Sequence, residues 1–433
     1  MDKIITLSEN TLDYVKKWRR SFHKYAEAAW REYRTSSLIA KELKDLGYKI
    51  LLGEDIIDKD ERMGLPDEKE LKEHYKRALE QGALEEYAEK MKYGLTGVVG
   101  ILDCGPGPVI GMRFDIDAVE MDESQDPSRR AVKEEFASVN EGAMHSCGHD
   151  GHAAIGLGVA KVLSEIKDEL KGTIKLVFQP AEEGVRGAKS VVFSGILDDV
   201  DYMLASHLGS GVPVGALSCG RGNFLATEKF DATFIGRASH AGGSPENGKN
   251  ALIAAANAVM NLYAITRHSD GPTRVNVGKL IAGSGRNVIA PKAKLVVETR
   301  GQTTELSKFM YDKAIKILEN CAEMYECELN IKSMGSAKSG NSDQELAEYV
   351  CEIAKETNLF DKLELKRGKG GGSEDYTYMM ERVQSQGGLA TFMGLGADLG
   401  GWSHHTDHFD INEEALVKGV AIFSLVAYKK LAK

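Results

Sequence analysis

The stretch Thr173-Ile174-Lys175-Leu176-Val177-Phe178-Gln179-Pro180-Ala181-Glu182-Glu183 decides the fold. Residues 173–178 read as a short buried strand, because a run this brief, rich in β-branched and apolar residues and closed by a proline, has the length of a strand rather than of a helix. Two adjacent carboxylates then fall in the turn that follows. The same arrangement recurs outward from this point. Residues 109–114, 202–205 and 389–393 read as further buried strands, and each is followed within about ten residues by ligand-type groups. These are Asp115 and Asp117, His207, and His404 with His405. In open α/β sheets the ligand crevice lies outside the carboxyl ends of the strands, so the four groups are expected to converge on one site.

Strand-like and helix-like segments alternate through the chain, which predicts an α/β domain with a mixed, mostly parallel sheet flanked by helices. Between 220 and 332 the texture changes. Strand 230–235, helix 250–266, strands 274–281 and 294–299 and helix 306–325 read as a small α+β unit inserted into a larger domain made of 1–219 and 333–433. A chain of 433 residues exceeds the size at which single cores stop growing, so two domains are expected. The charged run 54–92 is periodic enough for helices and reads as a surface insertion near 53–95.

Composition narrows the function. With 55 basic against 65 acidic residues the net charge is −10, which opposes binding to a nucleic-acid backbone and gives no steering toward anionic membranes. The six cysteines are scattered, unlike the dense framework of a small secreted domain, and the N-terminus lacks an apolar signal region. A cytoplasmic enzyme is expected. No GxSxG elbow, phosphate-binding GxxxxGK[ST] loop or GxGxxG fingerprint occurs.

Metal chemistry is what the remaining motifs offer. Cys147-Gly148-His149-Asp150-Gly151-His152 sets a thiol, two imidazoles and a carboxylate into six residues. Cys147 and His149, with Glu183 and His207 at strand ends, supply S, N and O donors of the kind that hold zinc, with manganese as the alternative. Of the pair Glu182-Glu183, one carboxylate can bind metal while its neighbour moves a proton. Asp115 and Asp117 do not open a calcium loop, since Glu120 stands where such a loop needs glycine. Asp117 instead suits the orientation of a ligand imidazole. Spacing alone does not choose among His404, His405 and His408. The glycine-rich run 368–372 could let backbone amides approach a substrate carboxylate.

Taken together, HSCGHDGH, FQPAEEG, SHLG, GRASHAGGSPENGKNAL, GSGRNVIAP, GGGSEDY and HHTDHFDINEEAL resemble the M20 metallopeptidase family, in its branch of aminoacylases and auxin-conjugate hydrolases. The likeness covers nearly the whole chain. It implies a catalytic domain with two divalent ions, zinc or manganese, and an inserted lid that also dimerises. Carried onto this sequence, it makes Cys147, His149, Glu183, His207 and His405 the metal ligands and Glu182 the general base. His240 would stabilise the oxyanion from the lid of a partner chain, and Asn287 with Arg300 would hold a substrate carboxylate. The implied reaction is amide hydrolysis of a small N-acyl amino acid, p-aminobenzoyl-glutamate foremost, by a homodimer or by a heterodimer with a paralogous chain. The competing expectations are a broad aminoacylase and a non-catalytic partner of an active paralogue.

Overall fold

Eight strands form the sheet of the first unit in the computed structural model, which describes residues 1–365 and 372–433. This unit comprises Met1–Gly222, the stretch beginning at Asn341, and Asp375–Lys433. Its strands are β1 (Lys49–Leu51), β2 (Val98–Asp103), β3 (Val109–Asp115), β4 (Thr173–Gln179), β5 (Tyr202–Leu208) and β6 (Ala216–Ser218), with two more from the C-terminal stretch described below. The second unit, Asn223–Gly340 with a short piece ending at Glu374, contains β7 (Ala226–Ile235), β8 (Thr273–Ala282), β9 (Lys292–Gly301) and β10 (Glu328–Ala337). The chain then returns to the first sheet with β11 (Lys362–Glu364) and β12 (Leu389–Leu395). The order across that sheet is β1-β2-β4-β3-β5-β12-β6-β11.

Its centre positions the chemistry. β3 is parallel to both β4 and β5, and β12 is parallel to β5, so the carboxyl ends of these four strands share one edge. The strands foreseen from sequence are present but each is longer. β5 in particular runs through His207, which pairs with Gly394 of β12 and therefore lies inside the strand rather than after it.

Helix His149–Glu165 crosses from β3 to β4 and is buried along nearly its whole length. It packs against helices Leu12–Lys24 and Glu414–Leu431. Gly156 makes the helix-to-sheet approach feasible, since a Cβ there would meet Phe178 at 2.6 Å and Phe114 at 2.7 Å. Both rings are buried, and each contributes about 1.5–3 kcal/mol relative to exposure. Thus a glycine that weakens the isolated helix lets the helix sit on the sheet.

The charged run holds helix Glu68–Glu80, with the Asp67 carboxylate capping it by accepting from the Glu70 amide at 2.9 Å. It is more than a solvated appendage. Leu71 and Ala78 are buried, and the Trp30 indole donates to the Met63 carbonyl at 2.8 Å. The second unit is an antiparallel sheet in the order β10-β7-β9-β8, with helices Ala251–Tyr263 and Thr304–Met324 over a core that includes Phe230, Phe234, Leu262 and Leu318. β10 was not foreseen, and it carries this unit past the expected end at 332 to Gly340. Alternating exposure along β10 explains the omission, for a half-exposed polar strand offers no buried run to read.

Candidate metal centre

The first unit gathers Cys147, His149, Glu182, Glu183, His207 and His405, which stand far apart in the sequence. Ligand atoms of Cys147, His149 and His207 lie within 4.8 Å of one another, as do those of Cys147, Glu183 and His405, and those of His149, Glu182 and Glu183. The Cys147 sulfur is 3.4 Å from His207 Nε2, His149 Nε2 is 3.8 Å from Glu182, and His405 Nε2 is 3.2 Å from Glu183. These overlapping triads form one continuous cluster.

Local backbone geometry presents the groups. Gly148 adopts φ 89° immediately before the helix, turning Cys147 and His149 toward the same place. Past Pro180, both Ala181 (φ 56°) and Val185 (φ 60°) occupy the left-handed region, which is strained for side chains with a Cβ. This turn is held from two sides. Asp117 accepts the amides of Glu182 and Glu183 at 3.0 and 2.9 Å, and Glu32 accepts the amide of Ala181 at 2.8 Å. Behind it, Asp375 accepts the amides of Gly187 and Ala188 at 3.1 and 2.9 Å and pairs with the fully buried Arg113 at 3.1 Å.

Hydrogen bonds decide which imidazole nitrogens face the cluster. His149 Nδ1 lies 2.9 Å from the Asp117 carbonyl and must donate to it, so Nε2 is the nitrogen that faces the cluster. His207 Nδ1 is committed likewise to the Leu208 carbonyl at 2.8 Å. His152 behaves differently, because its Nε2 accepts the Leu208 amide at 2.9 Å and its Nδ1 donates to Asp115. It is a strut, not a donor to the cluster. His404 spends Nε2 on the Leu208 carbonyl at 3.0 Å, whereas His405, with φ 61° and its amide on the Ser146 carbonyl, turns its ring to Glu183. His408 stacks on Trp402 and bonds to Asp407.

The residues fit a cation. His149 Nε2 and Glu183 Oε1 are buried without a hydrogen bond, an arrangement that costs free energy unless something positive binds there. His405 Nε2 approaches Glu183 Oε1 closely but without the alignment of a bond, as two atoms do when they face a shared ion. Four carboxylates, Asp115, Asp117, Glu182 and Glu183, surround the place. Burial opposes charge on His149, yet Asp115 holds its imidazole well above the usual range. Burial pushes the Cys147 thiol up to about 12, so a cation beside it is what would hold the thiolate near neutral pH. Burial and the neighbouring His152 and His404 hold His207 well below the ordinary value, so it is neutral as a ligand must be.

Outside this cluster, the second unit joins His240 to Asn287. His240 bridges Val288, and the Ala241 amide donates to the Asn287 carbonyl at 3.0 Å. His240 Nδ1 accepts the amides of Gly242 and Gly243 at 3.1 and 2.9 Å, which places its proton on Nε2. Arg300 does not join them. It lies at the far end of β9 and pairs with Glu298 at 2.9 Å, while Asn287 precedes the start of that ten-residue strand. At about 3.4 Å per residue, one chain cannot close this Asn287–Arg300 pair on a single carboxylate. The strand foreseen at 294–299 lies between them. The glycine-rich run 368–372 falls outside the described residues except for Gly372.

Several supporting residues were not foreseen. Arg113, Gln179 and Asp375 form the buried scaffold under the Glu182-Glu183 turn, and Arg19, His23 and Asp150 form another behind Cys147 and His149. A charged side chain inside an apolar strand, as Arg113 is in β3, was the available signal.

The family description peptidase family M20/M25/M40 matches residues 111–429. The indole-3-acetyl-aspartic acid hydrolase of Enterobacter agglomerans is 46% identical over 417 residues, spanning 96% of this chain and 95% of that protein. One of the subunits of the p-aminobenzoyl-glutamate hydrolase of Escherichia coli (strain K12) is 45% identical over 418 residues, 95% of each chain. The crystal structure of an aminobenzoyl-glutamate utilization protein from Klebsiella pneumoniae matches with a TM-score of 0.85 at 40% identity, covering 98% of this chain and 97% of that one. With a cluster of metal-ligand type assembled at one sheet edge and relatives of this closeness, the chain belongs to peptidase family M20/M25/M40 and is an amidohydrolase.

Proposed function

We propose that the enzyme hydrolyses the amide bond of an N-acyl acidic amino acid, with p-aminobenzoyl-glutamate as substrate, releasing the aromatic acid and glutamate. The observation that carries this reading is the buried pair of orphaned ligand atoms, His149 Nε2 and Glu183 Oε1, inside a cluster of sulfur, nitrogen and oxygen donors. Cys147, His149, Glu183, His207 and His405 would hold two divalent ions, zinc or manganese. When bound, such ions supply Lewis-acid activation of the scissile carbonyl and of the attacking water.

The chain's own residues do the remainder. Glu182 takes the proton of the attacking water on its carboxylate and delivers it to the departing amine nitrogen. Asp117 fixes the turn that aims Glu182 and orients the His149 ring. His240, whose own loop leaves Nε2–H to donate, is assigned to the oxyanion, and Asn287 beside it to the amino-acid half of the substrate. Arg300, which pairs with Glu298 within one chain, is assigned to the substrate carboxylate opposite an Asn287 supplied by a second chain.

Both named hydrolases act, by their names, on conjugates of an acidic amino acid, which supports glutamate or aspartate as the leaving half. An indole-acetyl-aspartate is the second reading, favoured by the relative that is 46% identical. The exposed apolar residues Ile253, Met260, Tyr263 and Ile281 of the second unit are assigned to association with a second chain, its own copy or a paralogue. Six free cysteines suit the reducing cytoplasm.

Turnover of p-aminobenzoyl-glutamate, indole-acetyl-aspartate and an acetyl-amino acid by the wild-type chain and Glu182→Gln tests the reading. Glu182→Gln should lower kcat by about 10²–10⁴-fold with metal content intact. Hydrolysis of acetyl-amino acids alone would refute the substrate, and an unaffected Glu182→Gln would refute the catalyst.

A further inference from the structure

The helical insertion carries a cavity of about 260 Å³ lined by Leu71, Lys72, Tyr75, Lys92 and Tyr93. A cavity of about 150 Å³ is enough to hold benzene, so a single aromatic ring with a small substituent fits. Its lining combines two phenol rings and a buried leucine with two ammonium groups, and it includes no carboxylate. That is complementary to a flat apolar body bearing one negative charge.

Three features mark the place as built. Tyr93 is 52% exposed and adopts φ 62°, a conformation that strains a non-glycine residue, and its carbonyl is held by the Arg62 guanidinium at 2.5 Å. Lys92 Nζ stands 5.0 Å from the centre of the Tyr75 ring, while Tyr75 packs edge-on against the buried Tyr33 at 5.4 Å. Each ammonium group pairs with an exposed carboxylate, Lys72 with Glu68 and Lys92 with Glu89, both at 2.6 Å, and Glu89 also accepts from the Tyr75 hydroxyl at 3.0 Å. Surface pairs of this kind contribute little and exchange readily for a ligand anion.

We propose that this cavity is a binding site for aromatic carboxylates, separate from the metal cluster. An aryl ring lies between Tyr75 and Tyr93 over Leu71, and its carboxylate meets Lys72 and Lys92. On the reading of function given above, the aromatic acid released by hydrolysis belongs to this class, so the site is placed to sense product.

The test is a crystal of the metal-loaded enzyme grown with 4-bromobenzoate, together with calorimetric titration of the same compound. Bromine anomalous density between Tyr75 and Tyr93 is expected, with affinity weakened about fivefold or more in Tyr93→Ala and in the conservative Lys92→Gln. Cys147→Ser should leave that affinity unchanged. Bromine found only elsewhere, or affinity unmoved in both variants, overturns the proposal. Since binding is read without turnover, this outcome is independent of whether p-aminobenzoyl-glutamate is the substrate, which the same samples report by hydrolysis.

Discussion

Replacing Asp117 by asparagine tests how far the Glu182-Glu183 turn depends on a single carboxylate. Its two oxygens accept the amides of Glu182 and Glu183 at 3.0 and 2.9 Å, and its side chain lies 3.4 Å from His149 Nδ1. The introduced carboxamide would retain one acceptor and point an NH₂ group at the other amide. One hydrogen bond to a charged group is lost, about 1.5–3 kcal/mol, and the facing donors repel. Side chain volume barely changes, so the loss falls on the turn and not on packing. At about 1.4 kcal/mol per decade this corresponds to roughly 10–100-fold in kcat/KM, the range usual for partners that orient metal ligands. Steady-state hydrolysis of p-aminobenzoyl-glutamate, with metal content measured on the same preparations, provides the assay. Should Asp117→Asn hold wild-type metal and stay within about twofold of wild-type kcat/KM, the idea that this carboxylate aims the turn is wrong.

Three further outcomes follow from the same geometry. His405→Ala should strip metal by at least about tenfold in affinity, whereas His404→Ala, which loses a bond to the Leu208 carbonyl, should keep its metal; elemental analysis after dialysis separates them. Gly156→Ala should lower the urea midpoint by an amount equivalent to about 1–3 kcal/mol, because crowding against Phe114 and Phe178 outweighs the improved helix propensity. Burial would raise the Asp410 carboxyl, but Arg19 and Arg130 hold it at about 2, below its ordinary 3.8. Its stabilisation is therefore complete above about pH 4 and lost as the pH falls through about 2; Asp410→Asn should flatten the acid-unfolding slope and cost about 2 kcal/mol at neutral pH.

The sheet was legible because its central strands are buried on both faces. Such strands are written as mostly apolar runs, as in 109–114 and 389–393, interrupted only by Arg113 and Thr391, and their ends coincide with the polar groups that follow. β10, by contrast, alternates polar and apolar residues along its first half with four of its ten residues exposed, and β1, β6 and β11 are three residues each. Neither kind stands out from loop sequence. The ligand-type residues were legible as a set, since thiol, imidazole and paired carboxylates are each uncommon at strand ends. Their mutual distances were not.

What sequence could not supply is the division of labour among neighbouring imidazoles. Five histidines, His149, His152, His207, His404 and His405, crowd into one region, and residue type treats them alike. The backbone sorts them. The Leu208 carbonyl accepts a hydrogen bond from His207 Nδ1 and is also met by His404 Nε2, while the Leu208 amide donates to the Nε2 lone pair of His152. One residue's backbone at the end of β5 thereby frees His207 Nε2 for the cluster and withdraws His152 and His404 Nε2 from it. A rearrangement of that single strand end would change three imidazoles at once. Metal affinity in this chain should accordingly respond to mutations that disturb the end of β5, even where no ligand is touched. Gly151 packs where a Cβ would press on Leu208 at 2.7 Å, so Gly151→Ala is the variant to measure. Metal binding weaker in Gly151→Ala than in Gly156→Ala, at a comparable fall in thermal midpoint, would support this control by the strand end. A lowered midpoint with full metal affinity would refute it.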